Sequence, residues 1–200
     1  MLDINLKNNY FWIFIIILLS AIVDGKLIFS INNPPAWDQG YHLSNVFKMY
    51  NILDYGNLNI LDKTNEILNI TNTYRGPLTY FLSALFLKIF GNTYYFAYFS
   101  NQIFNLICIL SLFYLGKLFR NESTGIWASV IFTFSSFIII QRTDYLIDLS
   151  LTAFSTCNFL FLTYWYLDKK KNSKAYKVLI YLSHLVFFAP ILFYFAYYGS

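Results

Sequence analysis

Charged residues and cysteines are both scarce in this chain of 200 residues. Asp, Glu, Lys and Arg make up 12% of the sequence, about half of the share found in ordinary soluble domains, so a soluble globular protein is excluded. The two cysteines, Cys108 and Cys157, both fall in apolar stretches, and a disulfide framework is not indicated. The net charge of +4 is not gathered into a basic patch, so no nucleic acid is expected as a partner.

Several catalytic motifs are also missing from the sequence. It contains no glycine-rich phosphate loop, no His-Glu-x-x-His metal site and no nucleophile elbow, which excludes the enzyme classes that depend on them. Of its two histidines, His184 falls in an apolar segment, where we expect it to form a hydrogen bond between helices. The remaining candidates for catalytic or binding groups are therefore the carboxylates, the cations and His42, which lies in a polar stretch.

Apolar residues are what the chain has in abundance, with 58% hydrophobic and 22% aromatic residues. Segments that have, or approach, the ~20 residues needed to cross a bilayer are residues 10–31, 93–115, 124–140, 149–167 and 178–198. We therefore predict an all-α polytopic membrane protein with about five transmembrane helices, in contact with membrane lipids. Asp24, Gly25 and Lys26 interrupt the first segment, and we expect their side chains to reach a membrane interface.

Basic linkers determine the predicted orientation. Residues 116–120 and 168–177 are separated by two predicted spans and are both basic, so both should face the cytoplasm. The N-terminus is then cytoplasmic as well, and residues 141–148 form an extracytoplasmic loop. Abundant Asn, Ile, Phe and Tyr indicate an AT-rich bacterial genome, and we predict a multi-pass protein of the bacterial inner (plasma) membrane.

Residues 77–90 form an apolar segment that is too short to cross a bilayer as a helix. At ~1.5 Å per residue it would reach about 21 Å, against ~30 Å of hydrocarbon. We predict an interfacial helix between Pro77 and Gly91, inside a first extracytoplasmic loop of residues 32–92. Residues 1–200 then form a single transmembrane module, expected to be the N-terminal part of a longer chain; the alternative is a small complete five-span protein.

Two polar stretches with carboxylates flank the predicted spans on the outer side. Residues 34–42 contain Asp38 among aromatic neighbours, and residues 142–148 contain Asp144 and Asp148. A carboxylate at a membrane boundary is costly, and its default interpretation is functional, while an ordinary polar loop with interfacial aromatic residues is the alternative. Such a carboxylate can act as a general base or bind a divalent cation.

Cations on the outer side are candidates for binding the phosphate of a lipid carrier. Arg75 and Arg142 rank above Lys48, because the guanidinium group offers phosphate a two-pronged hydrogen bond. For each of the three, the alternative is a cation that merely reaches the membrane interface. His42 follows Asp38 by four residues, so it lies on the same face of a helix and can assist as acid, base or ligand, or serve as a polar surface residue.

Three stretches, in order, resemble the GT-C class of membrane glycosyltransferases, and in particular its dolichyl-phosphate-mannose protein mannosyltransferase and aminoarabinose transferase branch. Residues 37–42, Trp-Asp-Gln-Gly-Tyr-His, resemble the first-loop aspartate motif of the family. Residues 74–91 resemble its proline-led helix ending in Phe-Gly, and residues 142–152 resemble its second-loop aspartate followed by Leu-Thr. Members commonly have Glu where this chain has Gln39, and they are much longer.

The resemblance implies a glycosyltransferase that moves a sugar from a polyprenyl-phosphate donor to a lipid or protein acceptor on the extracytoplasmic face. Asp38 matches the position of the catalytic base, and Asp148 matches the acidic position of the second loop. We predict that both are catalytic and that they bind a divalent metal if one is used; no other cofactor is identified. The residues expected to contact the substrate are Trp37, Tyr41, His42, Arg75, Arg142 and Asp144.

The main alternative is a non-catalytic membrane protein, such as a transporter fragment or an assembly subunit. A polymerase or ligase of lipid-linked glycans is a third candidate with the same outer site. A transporter is expected to hold charges at mid-membrane in broken helices, whereas the carboxylates singled out above flank the spans. This placement favours the transferase.

Overall fold

The structure is a computed structural model that describes residues 9–31, 35–54, 59–70, 78–145 and 148–167. About 90% of these residues are helical, and none of them lies in a strand. The predicted all-α class is therefore confirmed for this part of the chain. The predicted span at residues 178–198, the basic linker 168–177 and Arg75 all lie outside the described residues.

The helices divide into a bundle and a smaller cap. In chain order they are α1 (Asn9–Phe29), α2 (Trp37–Asp54), α3 (Ile60–Ile70), α4 (Leu78–Phe90), α5 (Tyr94–Phe99), α6 (Asn101–Phe119), α7 (Glu122–Phe134), α8 (Ser136–Thr143) and α9 (Asp148–Leu167). In the bundle, α6 packs against α7 and α9, and α1 packs against α7. In the cap, α2 packs against both α3 and α4. The cap lies over the end of the bundle formed by α5 and the turn between α8 and α9.

Two helical stretches in the described residues are long and apolar enough to cross a membrane. These are α1 and the continuous stretch Tyr94–Phe119, in which α5 leads into α6. The pair α7 and α8 makes a third if it is counted as one span, although its two helices are bent by 61°. Helix α9 has 20 residues, but Ser, Thr and Asn recur along it, and it is not apolar enough to be counted. The structure thus supports two or three spans, and the predicted number of about five is not confirmed.

The bend between α7 and α8 corrects the expectation of one continuous helix over residues 124–140. Ser135 has an extended backbone with φ −68° and ψ 138°, and its hydroxyl donates to the carbonyl of Phe132 over 3.1 Å. Ser135 is followed by Ser136, and adjacent small polar residues of this kind are a known cause of helix kinks, because their hydroxyls compete for backbone groups.

At the opposite end of the bundle, α1 begins beside the turn between α6 and α7. The Glu122 carboxylate accepts hydrogen bonds from the Asn9 amide and from Lys117, the latter over 2.6 Å. Gly116 and Gly125 lie so close that a Cβ on either would overlap the backbone of the facing helix, a close approach that only small residues permit. The start of α1 and the basic 116–120 linker therefore share one end, as the predicted topology requires.

The cap is built on the parallel pair α2 and α4, whose N-terminal ends meet each other and whose C-terminal ends meet each other. His42 contacts Tyr80 at one end of the pair, and Lys88 forms an ion pair with Asp54 over 3.6 Å at the other. Helix α4 is the short helix predicted for residues 77–90, and it is followed by Gly91, whose φ of 122° favours glycine. Its predicted position at a membrane interface stays a prediction. The apolar core under the cap consists of Ile28, Leu43, Val46, Met49, Tyr80, Ala84, Leu87, Ala97, Tyr98 and Tyr145.

Candidate functional site at the junction of cap and bundle

The first predicted motif, residues 37–42, forms the N-terminal turns of α2. Asp38 lies in the first turn, where the unpaired backbone N–H groups of the helix favour a negative charge. It is exposed, and among the described residues no donor is bonded to its carboxylate. Trp37 is 92% exposed, so its ring is available to lipid or to a ligand. Asp38 is thus positioned to accept a proton from a molecule outside the protein.

Gln39 connects this motif to the second one. Its side-chain oxygen accepts a hydrogen bond from the Tyr98 hydroxyl over 3.3 Å, and its side chain lies near Asp144. Partial burial raises the pKa of Asp144, and the nearby Gln39 side chain offsets part of that rise. Two segments about a hundred residues apart therefore meet at one amide side chain.

The side chain of His42 is packed inside the cap and is not exposed to solvent. It is buried, its Nδ1 lies 2.8 Å from the Tyr80 hydroxyl, and the two rings are stacked. Because Tyr80 belongs to α4, the contact between His42 and Tyr80 holds α2 against α4. Tyr41, the neighbouring residue, packs edge-on against the His42 ring but is about half exposed, so of these two predicted substrate-binding residues Tyr41 is the accessible one.

A second group of hydroxyls fixes the start of α9, where Asp148 is the first residue. Thr79 of α4 donates to Ser150 over 3.0 Å. Ser83 is hydrogen-bonded to Tyr145 and lies 2.6 Å from the hydroxyl of Ser100. Burial raises the pKa of Tyr145, which keeps its hydroxyl protonated as a donor. These hydrogen bonds attach the start of α9 to the cap. Asp148, the first residue of α9, is exposed there.

Arg142, predicted to bind phosphate, instead points into the bundle. It is completely buried, and its guanidinium group donates to both carboxylate oxygens of Asp24, over 2.6 and 2.9 Å. A further donor bonds the carbonyl of Thr133 over 2.6 Å, and Gln102 donates to Asp24 over 2.6 Å. In this arrangement the guanidinium group is engaged inside the protein and does not face a ligand.

The expectation that Asp24 reaches a membrane interface is wrong, because Asp24 is completely buried. Its charge is matched by Arg142, which makes burial inside the bundle tolerable. The sequence did contain a signal for this pair. Asp24 and Arg142 are opposite charges near the ends of two apolar segments, and the predicted topology places those ends on the same side of the membrane. Intramembrane charges of this kind are usually paired with one another.

Metal binding finds no direct support in the described part of the chain. No group of three or more His, Cys, Asp or Glu residues comes together there, so a metal bound by Asp38 and Asp148 stays a prediction. Lys48 lies on an exposed face of α2, and Arg75 lies outside the described residues. Among the described residues, no candidate cation is therefore positioned to bind a phosphate at this junction.

Comparisons with protein-family models, with curated proteins and with solved structures find no match for this chain. The resemblance to membrane glycosyltransferases therefore rests on the quoted sequence motifs alone. The structure adds that the two predicted carboxylate motifs, residues 37–42 and residues 142–148, approach each other where the cap contacts the bundle.

Proposed function

We propose that this protein is a membrane glycosyltransferase, which moves a sugar from a polyprenyl-phosphate donor to an acceptor at the junction of cap and bundle. The observation that carries the proposal is the contact of both motifs with Tyr98, which donates to Gln39 over 3.3 Å and whose ring packs on that of Tyr145, next to Asp144. This contact brings the N-terminus of α2 near the turn before α9, and supports a single site that includes Asp38 and Asp148. Sugar transfer from a membrane-embedded carrier needs such a group of carboxylates at the edge of the membrane.

In the proposed reaction Asp38 is the general base. Its carboxylate accepts the proton of an acceptor hydroxyl as that oxygen attacks the anomeric carbon, and the bond from this carbon to the carrier phosphate breaks. Because Asp38 is exposed and lies at a helix N-terminus, its carboxylate is accessible for this task. Asp148 positions the acceptor from the first turn of α9. The leaving phosphate needs a cation, and since Arg142 is engaged by Asp24, Arg75 is the residue assigned to it.

The test compares Asp38→Asn with Asp62→Asn, which removes an equally exposed carboxylate from the first turn of α3. The protein is expressed from its complete natural gene and reconstituted in liposomes. Radiolabelled polyprenyl-phosphate mannose or glucose serves as the donor, and host membranes supply the acceptor. We expect Asp38→Asn to lower the rate by ~10² to 10⁴ and to change donor binding much less, while Asp62→Asn stays at the wild-type rate. A folded Asp38→Asn protein with the wild-type rate would remove the assignment.

One observation favours the alternative of a transporter. The Asp24–Arg142 pair lies beside the break between α7 and α8, and broken helices next to charges are typical of transporters. The geometry also fits a structural role, because Arg142 bonds the Thr133 carbonyl near the bend. Measurements of proton and sodium flux in proteoliposomes distinguish the two, since flux that Asp24→Asn abolishes, without sugar transfer, would favour the transporter.

A further inference from the structure

A cleft of about 450 Å³, lined by both apolar and polar side chains, separates α2 from α3. Its volume falls within the range of about 300 to 1,000 Å³ that is usual for small-molecule sites. It is open on one side, and the described residues that line it come from both helices. None of its lining residues takes part in the contacts between Gln39, Tyr98 and Asp144. The cleft is therefore a separate feature of the cap.

The wall formed by α2 is an unbroken helical face. Tyr41, Asn45, Lys48 and Ile52 line it, and their spacing of four, three and four residues puts them on one side of a helix. A face turned toward a neighbouring helix is normally apolar. Here Asn45 and Lys48 lie between Tyr41 and Ile52, and space remains between the helices, which suits a ligand that has both polar and apolar surfaces.

Asn45 places an amide at the cleft, although this amide is not among the fully enclosed polar groups that lack a partner. Its residue is only 3% exposed, yet its side chain lines the cleft. Among the described residues nothing is hydrogen-bonded to its amide. A nearly buried amide without a protein partner is costly, so it is normally satisfied by water or by a ligand. This amide offers both a donor and an acceptor to whatever occupies the cleft.

Among the described residues that line the cleft, the charges balance. Lys48 lines one wall and Glu66 the other, and the ion pairs found among the described residues do not join them. Both charged groups therefore remain available to a molecule between the walls, one as a donor and one as an acceptor. A net charge of zero gives no preference for an anion such as phosphate. It suits a neutral molecule with many hydroxyl groups.

We infer that this cleft binds a neutral carbohydrate, as the acceptor glycan of the transfer reaction. Amides from Asn45, Asn51 and Asn69 offer paired donors and acceptors, which match the hydroxyl groups of a sugar ring. The half-exposed ring of Tyr41 offers an apolar surface to the C–H face of the sugar. Tyr41 is also three residues from Asp38, on the same side of α2, so an acceptor in the cleft begins one helical turn from the proposed base. The role as acceptor rests on the proposed function, whereas carbohydrate binding does not.

The experiment measures binding without catalysis. The protein in lipid nanodiscs is applied to an array of neutral oligosaccharides, and the dissociation constant of the tightest one is measured by calorimetry. Inorganic phosphate and glucose 1-phosphate are the anionic probes. We expect a neutral glycan to bind, with Glu66→Ala and Asn45→Leu each weakening it by roughly 3- to 10-fold, the effect of one ordinary hydrogen bond.

The matched control is Asp62→Asn, an exposed carboxylate of α3 that does not line the cleft, and it should bind as the wild type does. Glu66 is exposed, so Glu66→Ala tests the cleft even if Asn45→Leu fails to fold. An array without any bound neutral glycan, or equal binding by wild type and Glu66→Ala, would overturn the inference. Binding of the phosphate probes alone, lost in Lys48→Gln, would overturn it in favour of an anion site.

Failure of the proposed function has a different signature. Glycan binding that depends on Glu66, in a protein without transferase activity, leaves the carbohydrate site and removes only its role as an acceptor site. Transferase activity that depends on Asp38, with a blank array, removes the carbohydrate site alone. The two proposals are thus tested by separate readouts.

Discussion

The bundle buries an ion pair, whereas the described part of the cap does not. Buried polar residues inside the bundle include Ser20, Asp24, Asn101, Asn105, Ser129, Thr133 and Arg142, beside two apolar clusters, while large apolar residues such as Phe14, Trp127 and Phe159 are exposed on its outside. The cap buries Leu43, Val46 and Met49 against the bundle, together with a few polar residues, and its charged residues such as Lys48 and Asp54 are exposed.

A membrane and water favour different interiors. Lipid is as apolar as a leucine side chain, so burying apolar groups between membrane helices gains little, and polar contacts and close backbone packing hold them together. In water, removal of apolar surface is the main driving force. The apolar exterior and the buried ion pair of the bundle are consistent with helices that cross a membrane, and contact of the cap with water stays a prediction. The candidate site lies where cap and bundle meet.

The largest expected effect breaks the bundle at its buried ion pair. Arg142→Met leaves the Asp24 carboxylate buried without its partner, which should lower the free energy of unfolding by about 3–5 kcal/mol. Titration with SDS in mixed micelles measures this. Lys26→Met, which removes an exposed cation from α1, is the control and should have little effect.

A double variant separates pairing from charge burial at the same place. Asp24→Leu combined with Arg142→Met removes both charges, and it should recover most of the lost stability, since well-packed apolar residues often replace a buried pair without loss. If Arg142→Met were as stable as the wild type, the pair would contribute nothing to the bundle.

A smaller and more local effect is expected in the cap. Met49 is fully buried in the apolar core, and Met49→Ala should cost about 2–5 kcal/mol of cap stability. Hydrogen exchange should then speed up in α2 and α4, while α6 keeps its protection. Ser44→Ala, at an exposed position of α2, should leave exchange unchanged. Equal acceleration in cap and bundle would show that the two regions unfold as one unit.

The smallest expected effect is a pH dependence at the junction. Burial raises the pKa of Asp144 above its ordinary value of 3.8, so the folded protein holds this proton more tightly than the unfolded chain. The contribution of Asp144 to stability is then present in full below pH 3.8 and is lost as the pH rises through the folded pKa. Asp144→Asn should remove this part of the pH profile in thermal unfolding. An unchanged profile would show that Asp144 is not desolvated.

Sequence reasoning anticipated the parts of the fold that depend on local pattern. The helical class follows from apolar segments of spanning length, and α4 follows from an apolar run that ends at Gly91. The start of α1 and the 116–120 linker share one end of the bundle, as the predicted topology requires. These features needed no knowledge of which helices touch.

The features that were missed depend on tertiary contact. Asp24 looked like an interfacial residue, because nothing in its own segment reveals that Arg142 lies beside it. The bend at Ser135 was missed because serine is tolerated in helices, and the break is visible only in the extended backbone of Ser135 and in the 61° angle between α7 and α8. The prediction of a phosphate-binding role for Arg142 considered its chemistry without knowing that its donors are engaged within the bundle.

The central claim is that the two carboxylate motifs meet at the junction of cap and bundle, and thiol crosslinking tests it most directly. Gln39→Cys and Asp144→Cys are combined in native membranes, with Cys108 and Cys157 replaced by alanine, and treated with a short bifunctional thiol reagent. The pair of Lys117→Cys and Glu122→Cys, whose side chains are in contact, is the positive control, and Gln39→Cys with Lys117→Cys is the negative one. We expect positions 39 and 144 to crosslink as efficiently as the positive control. A pair that crosslinks no better than the negative control would contradict the account.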